Sequence, residues 1–184
     1  MNSKSIFPSV LFAAIALLAP PHASAQSLRP SGYFAEAAIL GGGDWAVGAG
    51  LVWPLAWQTT LWGNPVSTLA EASISHWQAR GTGHSHGFTH VALVPLLRLR
   101  FDGGRSPWFA DAGIGVSMTD QHFVTQTKQF TTAFNFVDTV GVGRSFGAGR
   151  RQDLSLRLQH VSNAGIRVPN PGQNFVQLRY ASAF

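Results

Sequence analysis

Hydrophobic and polar residues alternate along most of the chain beyond its first 30 residues, and turn-forming residues separate the alternating stretches. Side chains two positions apart on a strand point to the same side, so this alternation predicts strands with one apolar and one polar face. The pattern predicts eight strands, at 32–40, 45–53, 68–78, 88–101, 108–118, 132–146, 153–162 and 174–184. An even number of strands lets the first pair with the last, which removes both sheet edges. We therefore predict an all-β fold, an eight-stranded antiparallel barrel.

Charged residues on one face of several strands decide which face points into the barrel. Arg98 and Arg100 oppose an apolar face in the fourth strand, and Asp111 does so in the fifth. Because an eight-stranded barrel fills its interior with packed side chains, these charges can lie inside. We expect an interior polar network formed by Glu36, Arg98, Arg100, Asp111 and Arg157. The apolar faces then meet lipid, which predicts a transmembrane barrel; a soluble barrel with the two faces exchanged is the structural alternative.

The first 25 residues have the character of a secretory signal peptide. Lys4 supplies a positive charge, an apolar segment follows it, and the small residues Ala23 and Ala25 frame a cleavage site. We expect cleavage after Ala25, which leaves one domain, an outer-membrane barrel over residues 26–184. No later apolar run reaches the roughly 18 residues of a spanning helix.

The composition agrees with a barrel that faces lipid. The chain holds 20 Gly, 13 Phe and 6 Trp, and 11% of its residues are charged. Glycine and aromatic residues are typical of tight turns and short strands. There is no Cys, so the chain lacks the disulfides on which small secreted sandwiches often rely. The net charge of +5 at pH 7 would suit nucleic acid, but for a secreted chain we expect anionic membrane lipids as partners and no nucleic acid.

The last two predicted strands bring three polar side chains together. His160 and Ser162 share one face of the seventh strand with three leucines, an unusual position for a polar pair. Turn-forming residues fill most of the stretch 163–172, after which a second alternating segment begins. If the two strands form an antiparallel hairpin, Asn174 lies level with His160. We therefore expect a histidine, a serine and an amide to meet on the outward face.

These residues can carry out ester hydrolysis. A serine nucleophile needs a nearby base to take its proton and return it to the leaving alcohol, and histidine titrates in the suitable range. We assign Ser162 as the nucleophile and His160 as the general base. A tetrahedral oxyanion also needs hydrogen-bond donors, which the backbone N–H groups of Asn163, Ala164 and Gly165 in the following turn would supply.

The C-terminal hairpin resembles a known family. His-Val-Ser-Asn-Ala-Gly at 160–165 and Asn-Pro-Gly at 170–172, with Trp-Pro-Leu-Ala-Trp at 53–57, resemble the PagL-type lipid A 3-O-deacylases. The resemblance implies an eight-stranded esterase in the outer membrane of a Gram-negative cell, which removes the 3-O-linked 3-hydroxyacyl chain from the lipid A of lipopolysaccharide. It also implies that Asn163 and Asn170 support the oxyanion or shape the loop, and it leaves a homodimer open. The chemistry requires no cofactor.

The third member of the site departs from the family pattern. A member of the family carries a glutamate at the position that aligns with Asn174, and this glutamate orients the histidine. The Asn174 carbonyl can still accept the histidine N–H, although an amide does not stabilise an imidazolium as a carboxylate does. Asp138, which shares a face with Phe136 and Val140 on the neighbouring sixth strand, is the alternative orienting residue.

A short histidine cluster is the other candidate site in the sequence. His84, His86 and His90 lie close together, with His76 nearby, but no carboxylate or Cys accompanies them in the loop. Zinc normally has three or four well-placed ligands. We interpret these histidines as solvated loop residues and expect no metal.

Two functions of other kinds remain as alternatives to the lipid A deacylase. One is a catalytically silent barrel that stabilises the membrane or binds a ligand through its loops. The other is a phospholipase with the same site chemistry, because a lipid-facing groove can admit a phospholipid ester. A silent barrel has no need for a His and Ser on one face beside an oxyanion turn, which favours an esterase.

Overall fold

The computed structural model describes residues 29–81 and 85–184, and the expected signal peptide and its cleavage site lie outside the described residues. Eight strands make up the fold: β1 (Gly32–Leu40), β2 (Trp45–Leu61), β3 (Asn64–Arg80), β4 (Ser85–Arg100), β5 (Trp108–Thr119), β6 (Phe134–Phe146), β7 (Gln152–Ser162) and β8 (Gln173–Ala183). Each strand pairs antiparallel with the next, and β1 pairs with β8, so the barrel is closed. The predicted fold class is confirmed.

The barrel has two distinct ends. At the termini end, Gly32 of β1 pairs with Ala183 of β8, and the connections between strands are short. At the loop end lie the 120–133 connection between β5 and β6 and the 163–172 connection between β7 and β8. No helix among residues 29–81 and 85–184 is long and apolar enough to cross a membrane.

One predicted connection is wrong. The alternation ended the second strand at 53 and began the third at 68, but β2 continues to Leu61 and β3 begins at Asn64. A register shift between Pro54 and Gln58 interrupts the alternation and hides the continuation of the strand. Trp62 and Gly63, with φ of 50° and 75°, form the two-residue turn that joins the strands.

The outside of the barrel is apolar, as the alternation predicted. Large apolar residues within the strands are more than half exposed, among them Ile39, Val140, Leu158 and Leu178. Apolar surface that stays exposed to water is unfavourable, because its burial is what drives folding in water. An apolar outer wall of this kind is therefore suited to contact with lipid.

The inside holds a buried network of ion pairs. The Arg157 guanidinium lies 2.7 Å from the Glu71 carboxylate and 2.8 Å from that of Asp111. Arg98 donates to both oxygens of Asp111, and Arg179 lies 2.7 Å from Glu71. The network therefore links five strands, β3, β4, β5, β7 and β8, across the barrel interior.

The membership of this network differs in part from the prediction. Glu71, Arg179 and Asp153 belong to it, whereas Glu36 makes none of the ion pairs found among the described residues. Arg100 contacts the network through the Ser145 hydroxyl, which itself donates to Asp153. Alternation shows which charged side chains point into the barrel. The stagger of the strands then sets which of these side chains lie at the same level along the barrel axis and can form ion pairs.

Aromatic side chains close the loop end. The β5–β6 connection folds back as a small hairpin in which the N–H of Phe130 donates to the carbonyl of Phe123. Both rings are buried, and the Phe123 ring packs against Trp77 and Phe88, with centroids 5.5 and 5.1 Å apart. This connection is thus anchored to the barrel by its apolar side chains.

Candidate active site

His160 and Ser162 lie at the end of β7, on the outward face of the loop end. Their outward direction follows from alternation, because Val161 between them is fully buried inside the barrel. In the strand register His160 pairs with Asn174 of β8 on one side and with Asp138 of β6 on the other. The histidine is therefore flanked by both residues that the sequence nominated to orient it.

Asn174 is the flanking residue that contacts the histidine. Its Oδ1 atom lies 2.6 Å from Nδ1 of His160. An amide oxygen only accepts hydrogen bonds, so Nδ1 carries the proton and Nε2 is left free to act as a base. Asp138 is half-buried and makes no side-chain hydrogen bond among the described residues, although it is level with His160.

Ser162 is more enclosed than its place on the outer wall suggests. It is 8% exposed. The backbone N–H of Ala164 donates to its Oγ over 3.5 Å. No hydrogen bond between His160 and Ser162 occurs in the described part of the chain. Catalytic hydrogen bonds are often long before substrate binds, so the shared face remains compatible with proton transfer.

The three predicted backbone donors are not equivalent. The N–H of Asn163 donates to Oδ1 of Asn170 (3.1 Å), and that of Gly165 donates to Oδ1 of Asn163 (2.9 Å). The Ala164 N–H alone of these three points towards Ser162. Asn163 and Gly165 therefore shape the turn, and Ala164 is the backbone donor best placed for an oxyanion.

The turn is fixed by side chains of a second loop. The buried Asn163 side chain donates to Oγ1 of Thr131 and to the carbonyl of Arg167. The Thr131 hydroxyl lies within hydrogen-bond distance of the carbonyls of Arg167 and Pro169. The β5–β6 connection thus holds the β7–β8 connection in place.

Gly172 and Lys128 are neighbours of the histidine that the sequence analysis missed. A Cβ atom on Gly172 would lie 2.6 Å from Cε1 and 3.0 Å from Nε2 of His160, so only a glycine permits this approach. Nζ of Lys128 donates to the Gly172 carbonyl at 2.9 Å. The Asn-Pro-Gly sequence at 170–172 predicted a turn. No local pattern in the sequence relates Lys128 to that turn.

An open groove on the barrel wall reaches His160. It has a volume of about 820 Å³ and is lined mainly by apolar side chains, and Asp138, His160 and Asn174 are among its polar members. Leu158 and Val176 lie directly below His160 and Asn174 on the same strands. An acyl chain that follows the wall would therefore end at the histidine.

The histidine cluster does not form a site. His90 is not a loop residue, which corrects the sequence interpretation: it is 2% exposed inside the barrel, bonded to the Ser75 hydroxyl and stacked on Trp77. It points inwards because Phe88, His90 and Val94 share the inward parity of β4. Across residues 29–81 and 85–184, no group of three or more His, Cys, Asp or Glu side chains is arranged to hold a metal ion. His84 lies outside the described residues.

Comparison with known proteins identifies relatives of this chain. The sequence model of the family described as lipid A 3-O-deacylase (PagL) matches residues 45–183. The lipid A deacylase PagL of Bordetella bronchiseptica is 32% identical over 133 residues, which are 71% of this chain and 71% of that protein. The lipid A deacylase PagL of Pseudomonas aeruginosa is 29% identical over 181 residues, 96% of this chain and 97% of that protein.

A solved structure has the same architecture. The crystal structure of the outer membrane enzyme PagL aligns with a TM-score of 0.70 and 24% sequence identity, over 83% of this chain and 99% of that one. Fold and site together define a small closed β-barrel with a His, Ser and Asn constellation on its outer wall. The chain belongs to the lipid A 3-O-deacylase (PagL) family.

Proposed function

We propose that this protein is a serine esterase of the outer membrane that removes the 3-O-linked 3-hydroxyacyl chain from lipid A. The observation that carries the proposal is the His160–Asn174 hydrogen bond beside Ser162, on the outward wall of a barrel from the lipid A deacylase family. The apolar wall and the groove that ends at His160 support a substrate that lies in the membrane.

In the first step Oγ of Ser162 attacks the ester carbonyl while its proton passes to Nε2 of His160. The tetrahedral intermediate collapses when the bond to the sugar 3-oxygen breaks, and His160 returns the proton to that oxygen. Water then attacks the acyl-enzyme with His160 again as base, which releases the 3-hydroxy fatty acid and regenerates the Ser162 hydroxyl. No cofactor enters these steps.

The oxyanion is assigned to the Ala164 N–H and the Asn170 side-chain amide. Ala164 already donates towards Ser162, and Oδ1 of Asn170 is held by the Asn163 N–H, which leaves the Asn170 NH₂ group free of that contact. Donors that are fixed before the reaction stabilise a developing charge without reorganisation. Asn174 acts as a positioning residue, because it sets the tautomer of His160.

The same residues could hydrolyse a phospholipid ester, and a barrel of this shape could be catalytically silent. The family membership favours lipid A over a phospholipid. The buried Ser162, with the Ala164 N–H aimed at its hydroxyl, favours an active site over a silent barrel.

The test is mass spectrometry of lipid A from a Gram-negative host that expresses the intact chain, the Ser162→Ala variant or the Ser182→Ala variant. Ser182 lies at the termini end and serves as the matched control. We expect loss of one 3-hydroxyacyl group with the wild type and Ser182→Ala, and a loss of activity of about 10³-fold or more with Ser162→Ala. Unchanged lipid A in a host with folded wild-type barrel would contradict the proposal, and released phospholipid fatty acid would favour the phospholipase.

A further inference from the structure

A second cavity lies at the loop end, on the other side of Asn174 from the acyl groove. Its volume is about 300 Å³, and it is formed by the β1–β2 turn, the end of β3, the β5–β6 connection and the start of β8. Its lining includes two cations, one carboxylate and an amide that also belongs to the candidate active site: Arg80, Lys128, Asp44 and Asn174. Asn174 also lines the acyl groove, so the two spaces meet beside His160.

The two cations of this cavity are held together by the backbone. The N–H of Gln126 donates to the carbonyl of Arg80 at 3.0 Å, which fastens the β5–β6 connection to the end of β3. Within that connection Thr125 and Lys128 close a turn, because the Thr125 N–H donates to the Lys128 carbonyl and the Lys128 N–H donates to Oγ1 of Thr125. The buried rings of Phe123 and Phe130 anchor the base of this turn.

Both cations keep donors available for an anion. Nζ of Lys128 donates to the Gly172 carbonyl, and an ammonium has three donors, so two remain. The Arg80 guanidinium lies over the turn at Gly43, where a Cβ would approach its Cζ to 2.8 Å. Neither side chain belongs to an ion pair found among residues 29–81 and 85–184.

One carboxylate is present, but it is engaged elsewhere. Asp44 is 6% exposed, and its Oδ1 accepts the backbone N–H of Arg80 at 2.8 Å rather than the guanidinium. The cavity thus combines two cations with one buried carboxylate. Guanidinium and ammonium groups at one site are the recurring means by which proteins bind phosphate.

We propose that Arg80 and Lys128 bind a phosphate group of the glycolipid whose ester reaches His160 and Ser162. This rests on the proposed function, since lipid A is an acylated glucosamine disaccharide that carries phosphate. The two spaces on either side of Asn174 then divide the substrate: the acyl chain follows the apolar wall, and the phosphorylated sugar lies over the loop end. Anion binding at Arg80 and Lys128 orients the sugar so that one ester faces Ser162.

The experiment measures kcat and KM of purified full-length protein in detergent micelles, with lipid A and with the same lipid A after removal of its phosphates. The variants are Arg80→Gln, Lys128→Gln and the double variant, with Arg151→Gln at the termini end as the charge-matched control. We expect KM for phosphorylated lipid A to rise about 10-fold in each single variant, as for the loss of a charged hydrogen bond. KM for the dephosphorylated lipid should stay the same in Arg80→Gln, and Arg151→Gln should match the wild type with both lipids.

An equal loss with both lipids, or no change in KM with the phosphorylated one, would overturn the subsite. Arg80→Gln is the decisive variant, because Lys128 also contacts Gly172 next to His160, whereas the Arg80 side chain does not. Inorganic phosphate, added as a competitor, separates a general anion site from a glycolipid site: inhibition of the wild type but not of the double variant supports phosphate binding at these two cations.

A binding measurement separates this inference from the proposed function. The Ser162→Ala variant is titrated with phosphorylated and dephosphorylated lipid A, with and without Arg80→Gln. Tighter binding of the phosphorylated lipid that disappears with Arg80→Gln would uphold the subsite even if the wild type cleaves neither lipid. Equal binding of both lipids would overturn it even if the wild type is an active deacylase.

Discussion

The inside of the barrel and its outer wall at the loop end both carry polar side chains. The two regions differ in how many partners these side chains have. Inside, Arg157 is 3% exposed and contacts two carboxylates. On the wall, His160 has one amide partner at Nδ1, and its Nε2 makes no hydrogen bond within residues 29–81 and 85–184. Neighbouring residues of one strand, β7, supply both regions. Buried charges held in ion pairs stabilise a fold, whereas a basic ring nitrogen that faces the groove can take up a proton.

The two regions also differ in which parts of the chain hold them. Residues of β3, β4, β5, β7 and β8 build the interior network, so its geometry depends on the strand register. The site on the wall depends in addition on two connections, since Lys128, Thr131 and Asn163 hold its turns in place. We therefore expect changes to the interior to reduce stability and changes at the wall to reduce activity.

The largest effect is expected from Arg157→Leu. This change leaves Glu71 and Asp111 buried without one of their partners, which costs about 3–5 kcal/mol of the free energy of unfolding. Arg105→Ala removes the exposed pair with Asp102 and should cost at most about 1 kcal/mol. Urea unfolding of the refolded barrel in detergent measures both. Equal losses of unfolding free energy in the two variants would contradict the stabilising role of the buried network.

Gly172→Ala should lower kcat/KM by about 10²-fold, as expected for a catalytic group displaced by about 1 Å. The new Cβ would overlap the His160 ring, so the ring must leave its position. Gly63→Ala is the matched control: its φ of 75° imposes similar backbone strain, but no atom lies within 4 Å of the new Cβ. If both variants lose the same activity, the contact between Gly172 and His160 has no catalytic role.

Asn174→Ala should lower kcat by about tenfold, less than the roughly 10⁴-fold found where a serine triad loses a buried carboxylate. Asn174→Asp should be faster than the wild type, because a carboxylate stabilises the imidazolium that forms in the reaction. Single-turnover deacylation measures both changes. Asp138→Asn is the comparison, since Asp138 is level with His160 but makes no hydrogen bond to it among the described residues. A larger loss with Asp138→Asn would assign the orienting role to Asp138.

Local patterns in the sequence account for the strand plan and for much of the site. Alternation shows that His160 and Ser162 share a face with leucines, and the hairpin of the last two strands brings Asn174 level with His160. These residues are close in the sequence, so the strand period and one turn are enough to relate them. Inward charges such as Arg98 and Asp111 could be assigned for the same reason.

Only the closed barrel decides which distant residues meet. The Glu71 and Arg179 contacts depend on the stagger of strands far apart in the chain, and alternation carries no information about height along the barrel. Likewise, Arg80 and Lys128 reach Asn174 because the β5–β6 connection folds back over the loop end and buries Phe123 and Phe130. That fold-back is driven by apolar packing against residues of other strands, and a contact of this kind leaves no periodic signal in the sequence.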